Sequence, residues 1–317
     1  MSKTIGIFLA GQNGDILTAS SVLHYRGELW GHCKIVWYME ERNFDLLKYS
    51  DVELRPFPRG FGYPEMVEEE NKKGGILWED WKPLVDEKNH LNLELKKNFT
   101  SLADIDYGYF PAPHQMTPKQ RHGIEYPNIS KKVFGVPDHY EWHPCLGFYA
   151  MELVMASKFF DKVGGGKKVL IETFAGSGQS RLNEQMISTT MNICSECWPG
   201  CKFIFASHKF LHGNESFPEA LFDDKNIFSC ADFTVRQCAL IADQCDLMIS
   251  VSSGITVAAS AWGIRQPPTL QFCGSAVCST RALAHTQFEL VTADDKAIAN
   301  AHGEYYTKLL KLLNLNK

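Results

Sequence analysis

Nowhere does this sequence stay apolar for the ~20 residues that a membrane-spanning helix needs. It has no surplus of positive charge either: 32 Lys and Arg stand against 37 Asp and Glu, a formal net charge of -5. That balance gives no global pull toward nucleic acid or an anionic membrane, so stable nucleic-acid binding is not expected. Internal repeats are absent beyond a rough pairing of two α/β halves. A complete GxGxxG dinucleotide fingerprint is missing after the first apolar run. The opening apolar stretch is too brief for a signal segment and passes directly into Gly11-Gln12-Asn13-Gly14-Asp15, so it reads as a first strand. The ten cysteines show no secretory pattern. Most (Cys33, Cys194, Cys230, Cys238, Cys245, Cys273) fall in helical or strand patterns, where a reduced thiol is a small buried hydrophobe. Cys194, Cys197 and Cys201 form CxxCxxxC, but the fourth ligand that zinc would need is not in view, and no metal is expected.

What is there suits a two-domain α/β protein. At 317 residues, with 44% hydrophobic and 22% charged, the chain can bury a large core. Residues 4–9 read as a strand, followed by a loop and a helix with Ile16, Ala19 and Leu23 on one face. A strand at 34–38, a helix at 43–49 and a strand at 52–56 complete βαβαβ, the start of a doubly wound sheet. Residues 58–144 are rich in Pro, Gly and aromatics, and two readings stay open: functional loops, or surface helices with aromatic anchors. Within them Asp138-His139-Tyr140-Glu141-Trp142-His143 reads either as acceptor contacts or a second base, or as an exposed turn. A helix at 146–163 leads to Gly164-Gly165-Gly166, the best domain boundary by composition. A second α/β unit follows, with strands at 169–173 and 203–207 around a helix at 183–197. The last segment, 294–313, is an amphipathic helix with Ile298, Ala301, Tyr305, Leu309 and Leu312 on one face.

Three places carry chemistry. The most informative is 246–263, DLMISVSSGITVAASAWG, an apolar strand ending in Ser252-Ser253-Gly254 and passing into a small-residue helix. Such a turn presents backbone amides and a helix dipole to an anion, and glycine lets the chain approach closely. Upstream, residues 234–244 read as a helix, with Thr234 and Gln237 at capping-box spacing. Downstream, Pro267 to Gly274 reads as a short strand ending in a small-residue loop. The second place is Phe174-Ala175-Gly176-Ser177-Gly178-Gln179-Ser180-Arg181, a Ser/Gly loop after a strand, suited to phosphate. The third is Asp15, a carboxylate after the first strand, where parallel sheets bind ligands; it reads as a base or as a simple helix cap.

These stretches, in this order, resemble the donor-binding half and the first loop of GT-B glycosyltransferases, especially the ADP-heptose:lipopolysaccharide heptosyltransferase family. The resemblance implies two Rossmann-like doubly wound domains facing a cleft: an acceptor domain over 1–163, a donor domain over 164–294, and a terminal helix, 295–317, crossing back to the first domain. It implies inverting, metal-independent transfer of a sugar from a nucleotide-diphosphate sugar to an acceptor hydroxyl, without a cofactor. Asp15 would be the general base, beside Asn13 and Gly14 at the acceptor. Gly176, Ser177, Gly178, Gln179, Ser180, Arg181, His208, Ser252, Ser253, Gly254, Ile255 and Thr256 would hold the donor, with amides at Ser253, Gly254 and Ile255 on the departing diphosphate. The sequence departs from the family where its turn aspartate is Ser252 and its helix histidine is Val257. The acceptor stays open among carbohydrates, glycoconjugates and modified DNA, and the expected setting is the cytoplasm, including the membrane periphery. Two alternatives remain: an S-adenosylmethionine-dependent methyltransferase, since Phe174 to Gly178 also resembles that cofactor loop, and a non-catalytic nucleotide-sugar binder.

Overall fold

The computed structural model describes residues 3–9, 11–57, 100–111, 126–175, 182, 184–207, 224–273, 286–291 and 295–315. By contact the chain divides into two compact units, Met1–Gly147 and Phe148–Lys317. Each contains a parallel sheet flanked by helices, the α/β class that the sequence predicts.

In the first unit β1 (Lys3–Phe8), β2 (Cys33–Tyr38), β3 (Glu53–Arg55) and β4 (Tyr107–Tyr109) lie in the order β3-β2-β1-β4. All three pairings are parallel, so each needs a crossover. Helices α1 (Asn13–Ser20) and α2 (Arg26–Trp30) supply it between β1 and β2, and α3 (Phe44–Leu47) supplies it between β2 and β3. A further helix, α4 (Tyr126–Phe134), packs on α1. The last four residues of β1 and of β2 are buried. Phe8 stacks on Tyr38 at 4.4 Å and on Phe110 at 5.4 Å. Gly6 makes that possible, because a side-chain carbon there would stand 2.7 Å from the Phe8 ring and 2.9 Å from Ile105.

The segment 138–143 is a packed turn. Trp142 is buried between Tyr25 and Phe134, and Lys131 Nζ donates to the carbonyls of Asp138 and Tyr140 at 3.1 and 2.7 Å.

In the second unit β5 (Lys168–Ile171), β6 (Lys202–Phe205), β7 (Ile227–Ser229), β8 (Leu247–Val251), β9 (Thr269–Cys273) and β10 (Thr286–Val291) form one parallel sheet in the order β10-β9-β8-β5-β6-β7. On one face Val169, Ile171, Leu247, Ile249, Val251, Leu270 and Phe272 pack with Met186, Ile187 and Cys194 of α6 (Glu184–Cys197) and with Tyr305, Leu309 and Leu312 of α9 (Asp295–Leu315). Strands buried on both faces read as continuous apolar runs, and β8 and β9 are buried at every position.

Helix α7 (Val235–Asp243) begins with the predicted capping box: Gln237 N–H donates to Thr234 Oγ1 at 3.3 Å, and Thr234 N–H donates to Gln237 Oε1 at 2.9 Å. It packs against α5 (Ala150–Val163), the helix that the sequence reading joins to the first domain. By contact, α5 falls in the second unit, which begins at Phe148. Gly164 ends α5 with a φ of 77°, in the left-handed region that favours glycine. The small-residue helix expected after Ser253 is short: α8 spans Gly254–Ala258 and gives way to turns. Ser260 Oγ donates back to the Val257 carbonyl at 2.6 Å, and Gly263 carries a φ of 85°.

Candidate active site

In parallel sheets, ligands bind outside the carboxyl ends of the strands. In the first unit that end of β1 holds Gly11, Gln12, Asn13, Gly14 and Asp15. Asn13, Gly14 and Asp15 form the first turn of α1, and each is half-buried. Asp15 Oδ2 accepts the Gln12 N–H at 2.7 Å, so the carboxylate does cap the helix. Capping does not use the group up, because a carboxylate has further lone pairs on each oxygen. Burial of the carboxyl pushes its pKa up to about 6, against the lowering pull of the Gln12 amide. Gly11 presses on it from behind: a side-chain carbon there would come 2.6 Å from Asp15 Cβ and 2.7 Å from Oδ2. Asn43, just before α3, donates from Nδ2 to the Gly11 carbonyl at 3.4 Å and ties the loop after β1 to the loop after β2. Asn43 escaped the sequence reading, which has no local signal for a contact 32 residues away.

In the second unit the carboxyl ends of β5 and β8 meet in a hydrogen-bonded cluster. Ser253 caps α8: its Oγ accepts the Ile255 N–H at 3.1 Å and the Thr256 N–H at 3.3 Å. Ser253 Oγ in turn donates to Glu172 Oε1 at 2.5 Å. Thr256 Oγ1 lies 2.8 Å from the Val251 carbonyl and 3.1 Å from Glu172 Oε2. Glu172 is 1% exposed, and burial pushes its pKa up to about 8, against the lowering effect of the two hydroxyls. Two of the expected donor contacts have partners within the protein. The Ile255 amide donates to Ser253 Oγ. Thr256 is wholly buried, its amide and hydroxyl spent on Ser253, Val251 and Glu172. Ser252, Ser253 and Gly254 remain half-buried at the surface of the turn, and among the described residues the amides of Ser253 and Gly254 have no partner. Gly176, Ser177, Gly178, Gln179, Ser180, Arg181 and His208 lie outside the described residues.

Glu172 is the site residue that the sequence reading missed. Its only local signal is a carboxylate closing an apolar strand, Val169-Leu170-Ile171-Glu172. Among the described residues no group of three His, Cys, Asp or Glu side chains is placed to hold a metal ion.

No family model matches the sequence, and no curated protein matches it. Solved structures do match, along nearly its whole length. A glycosyl transferase family 9 protein from Veillonella parvula is 15% identical, covers 100% of this chain and 99% of its own, and has a TM-score of 0.61. The ADP-heptose lipopolysaccharide heptosyltransferase II of E. coli is 11% identical, covers 99% of both chains, and has a TM-score of 0.63. The dodecameric iron-containing glycosyltransferase TibC of enterotoxigenic E. coli is 10% identical over 99% of this chain and 76% of its own, with a TM-score of 0.60. The fold is thus that of these glycosyltransferases, as the sequence resemblance implies.

Proposed function

We propose that this chain is a glycosyltransferase that moves a sugar from a nucleotide-diphosphate sugar to an acceptor hydroxyl. The observation that carries the reading is the end-to-end likeness to heptosyltransferase-type folds, one of them described in complex with ADP-D-β-D-heptose. The placement of chemistry supports it. Asp15 stands at the carboxyl end of the first sheet, and the Ser252-Ser253-Gly254 turn stands at the carboxyl end of the second.

In this reading Asp15 takes the proton of the acceptor hydroxyl, a contribution of about 10² to 10⁴ in rate. Asn13 and Gly14 flank the acceptor. The Ser253 and Gly254 amides, with the loop 176–181, its Arg181 and His208, meet the donor diphosphate as preorganised electrostatics. Inversion, independence from metal, and a carbohydrate or glycoconjugate acceptor belong to the same reading, as does a cytoplasmic setting. A non-catalytic nucleotide-sugar binder is the second reading, favoured by Ser252 and Val257 standing where the family carries aspartate and histidine.

The test is a thermal-shift panel of ADP, GDP, UDP and CMP, their sugar conjugates, and S-adenosylmethionine. A ligand at ~100 times its Kd stabilises the fold by about 2.7 kcal/mol. One nucleoside diphosphate is expected to do so, and its sugar conjugate to be consumed when acceptor is present. Binding without turnover, unchanged by Asp15→Ala, selects the binder. Stabilisation by S-adenosylmethionine alone overturns both.

A further inference from the structure

We infer that Glu172 is a positioning residue that works as a neutral carboxylic acid, holding the Ser253 and Thr256 hydroxyls and with them the shape of the turn between β8 and α8. Its bearing on donor binding rests on the proposed reading of the second unit.

The hydrogen count carries the inference. Ser253 Oγ has one hydrogen. It already accepts two backbone N–H groups, so its own hydrogen goes to Glu172 Oε1 at 2.5 Å. Thr256 Oγ1 also has one hydrogen and faces three oxygens: the Val251 carbonyl, Glu172 Oε2 and, farthest at 3.5 Å, Ser253 Oγ, whose own hydrogen and both lone pairs are already used. The Val251 carbonyl can only accept, and at 2.8 Å it is the nearest partner, so it takes that hydrogen. The remaining contact, 3.1 Å between Thr256 Oγ1 and Glu172 Oε2, then lacks a hydrogen unless Glu172 carries one. A protonated Glu172 supplies it, and all three side chains are satisfied. An ionised one leaves an acceptor facing an acceptor in the interior, at 1% exposure.

The surroundings agree. Among the described residues, none of the groups acting on Glu172 is a cation. β8 and α8 bring no titratable side chain to it. Among the described residues, the titratable group that senses it is the Cys230 thiol, itself raised well above its usual range by Cys238, burial and neighbouring groups that include Glu172. On α7 the charged side chains are committed elsewhere, Arg236 to Glu152 and Asp243 to the Arg265 N–H at 2.7 Å. Burial sets the pKa of Glu172 near 8, which leaves the carboxyl mostly neutral at pH 7.

Glutamine has the shape of the protonated acid, with an acceptor oxygen for Ser253 and a donor nitrogen for Thr256. The experiment compares the full chain with Glu172→Gln by urea unfolding across pH, without ligand. The wild-type group holds its proton up to about 8 when folded and only to about 4.5 when unfolded. Its folded state therefore binds more protons within that window, and its stability falls as pH rises. Relative to Glu172→Gln, the folded-to-unfolded ratio is expected to drop by up to about tenfold per pH unit across the window and to level above it. Glu172→Gln is expected to bind ADP as wild type does near neutrality and to keep that affinity above pH ~8, where wild type weakens as its carboxylate ionises. Infrared difference spectra supply a readout that needs neither folding data nor ligand: a protonated-carboxyl stretch present in wild type and absent in Glu172→Gln.

A ratio that stays flat with pH, or no such stretch, overturns the inference. If the pH-dependent ratio and the stretch are seen but no nucleotide binds either protein, Glu172 stands as inferred and the donor reading fails.

Discussion

Gly11 and Asp15 are packed so closely that one added carbon on Gly11 would lie 2.7 Å from the Asp15 carboxylate oxygen. The contact that would clash is the short, stiff side chain of the proposed base, which cannot swing away like the end of a lysine. Gly11→Ala is therefore expected to displace Asp15 and to lower kcat by ten- to a hundredfold, with donor affinity unchanged because that site belongs to the other unit. Asp15→Ala is expected to cost about 10² to 10⁴. Comparing kcat with the nucleotide Kd for both variants checks this. Loss of nucleotide binding in Gly11→Ala would show a wider disturbance than the packing implies.

A carboxyl near pKa 6 gives Asp15 a signature in pH. A base must be ionised to accept a proton, so kcat/KM should rise by up to tenfold per pH unit below about 6 and level off above it. The stability effect has the opposite direction. The folded carboxyl is raised from 3.8 to about 6, so its contribution is present below 3.8 and lost as pH rises through that window. Asp15→Asn should erase the rising limb and show no such loss when its stability is followed across the same range. A rate limb centred near the ordinary carboxylate range would remove Asp15 from the role.

Arg236 and Glu152 form an interior ion pair, with side chains 3% and 10% exposed, that joins α7 to α5. The second Glu152 oxygen accepts the Tyr149 N–H at 2.9 Å, so this carboxylate also starts α5. Removing one member leaves the buried charge of the other uncompensated. Arg236→Met is expected to cost about 3 to 5 kcal/mol in urea unfolding, and Arg236→Met with Glu152→Gln less than the sum of the single changes. Additive losses would mean that the two side chains act independently.

The sequence was most legible where physics is local. β1, β2, β5, β6, β8 and β9 read from their apolar runs, and α7 from its Thr234–Gln237 box, because capping and periodicity need only neighbours. β4 was not legible: Tyr107-Gly108-Tyr109 is a strand only because β1 offers it a parallel partner. The length of α8 was hidden too, since Ser260 turns back on Val257 after an alanine-rich run that favours helix. At the candidate site, Asp15 and the Ser252-Ser253-Gly254 turn follow strands in sequence and could be picked out. Glu172 acquires its environment from Ser253 and Thr256, 81 and 84 residues away, and no spacing announces that.

Ser250 tests how strictly the second sheet satisfies its interior. It sits within β8, wholly buried, and among the described residues its hydroxyl has no hydrogen-bond partner. An unpartnered hydroxyl in such a place costs on the order of 1 to 3 kcal/mol, while an alanine of nearly the same size carries no such cost. Ser250→Ala is therefore expected to raise stability by about 1 kcal/mol and leave nucleotide binding alone, measured by urea unfolding and titration on the same preparation. A loss of stability would mean that the hydroxyl does have a partner, supplied by a segment outside the described residues.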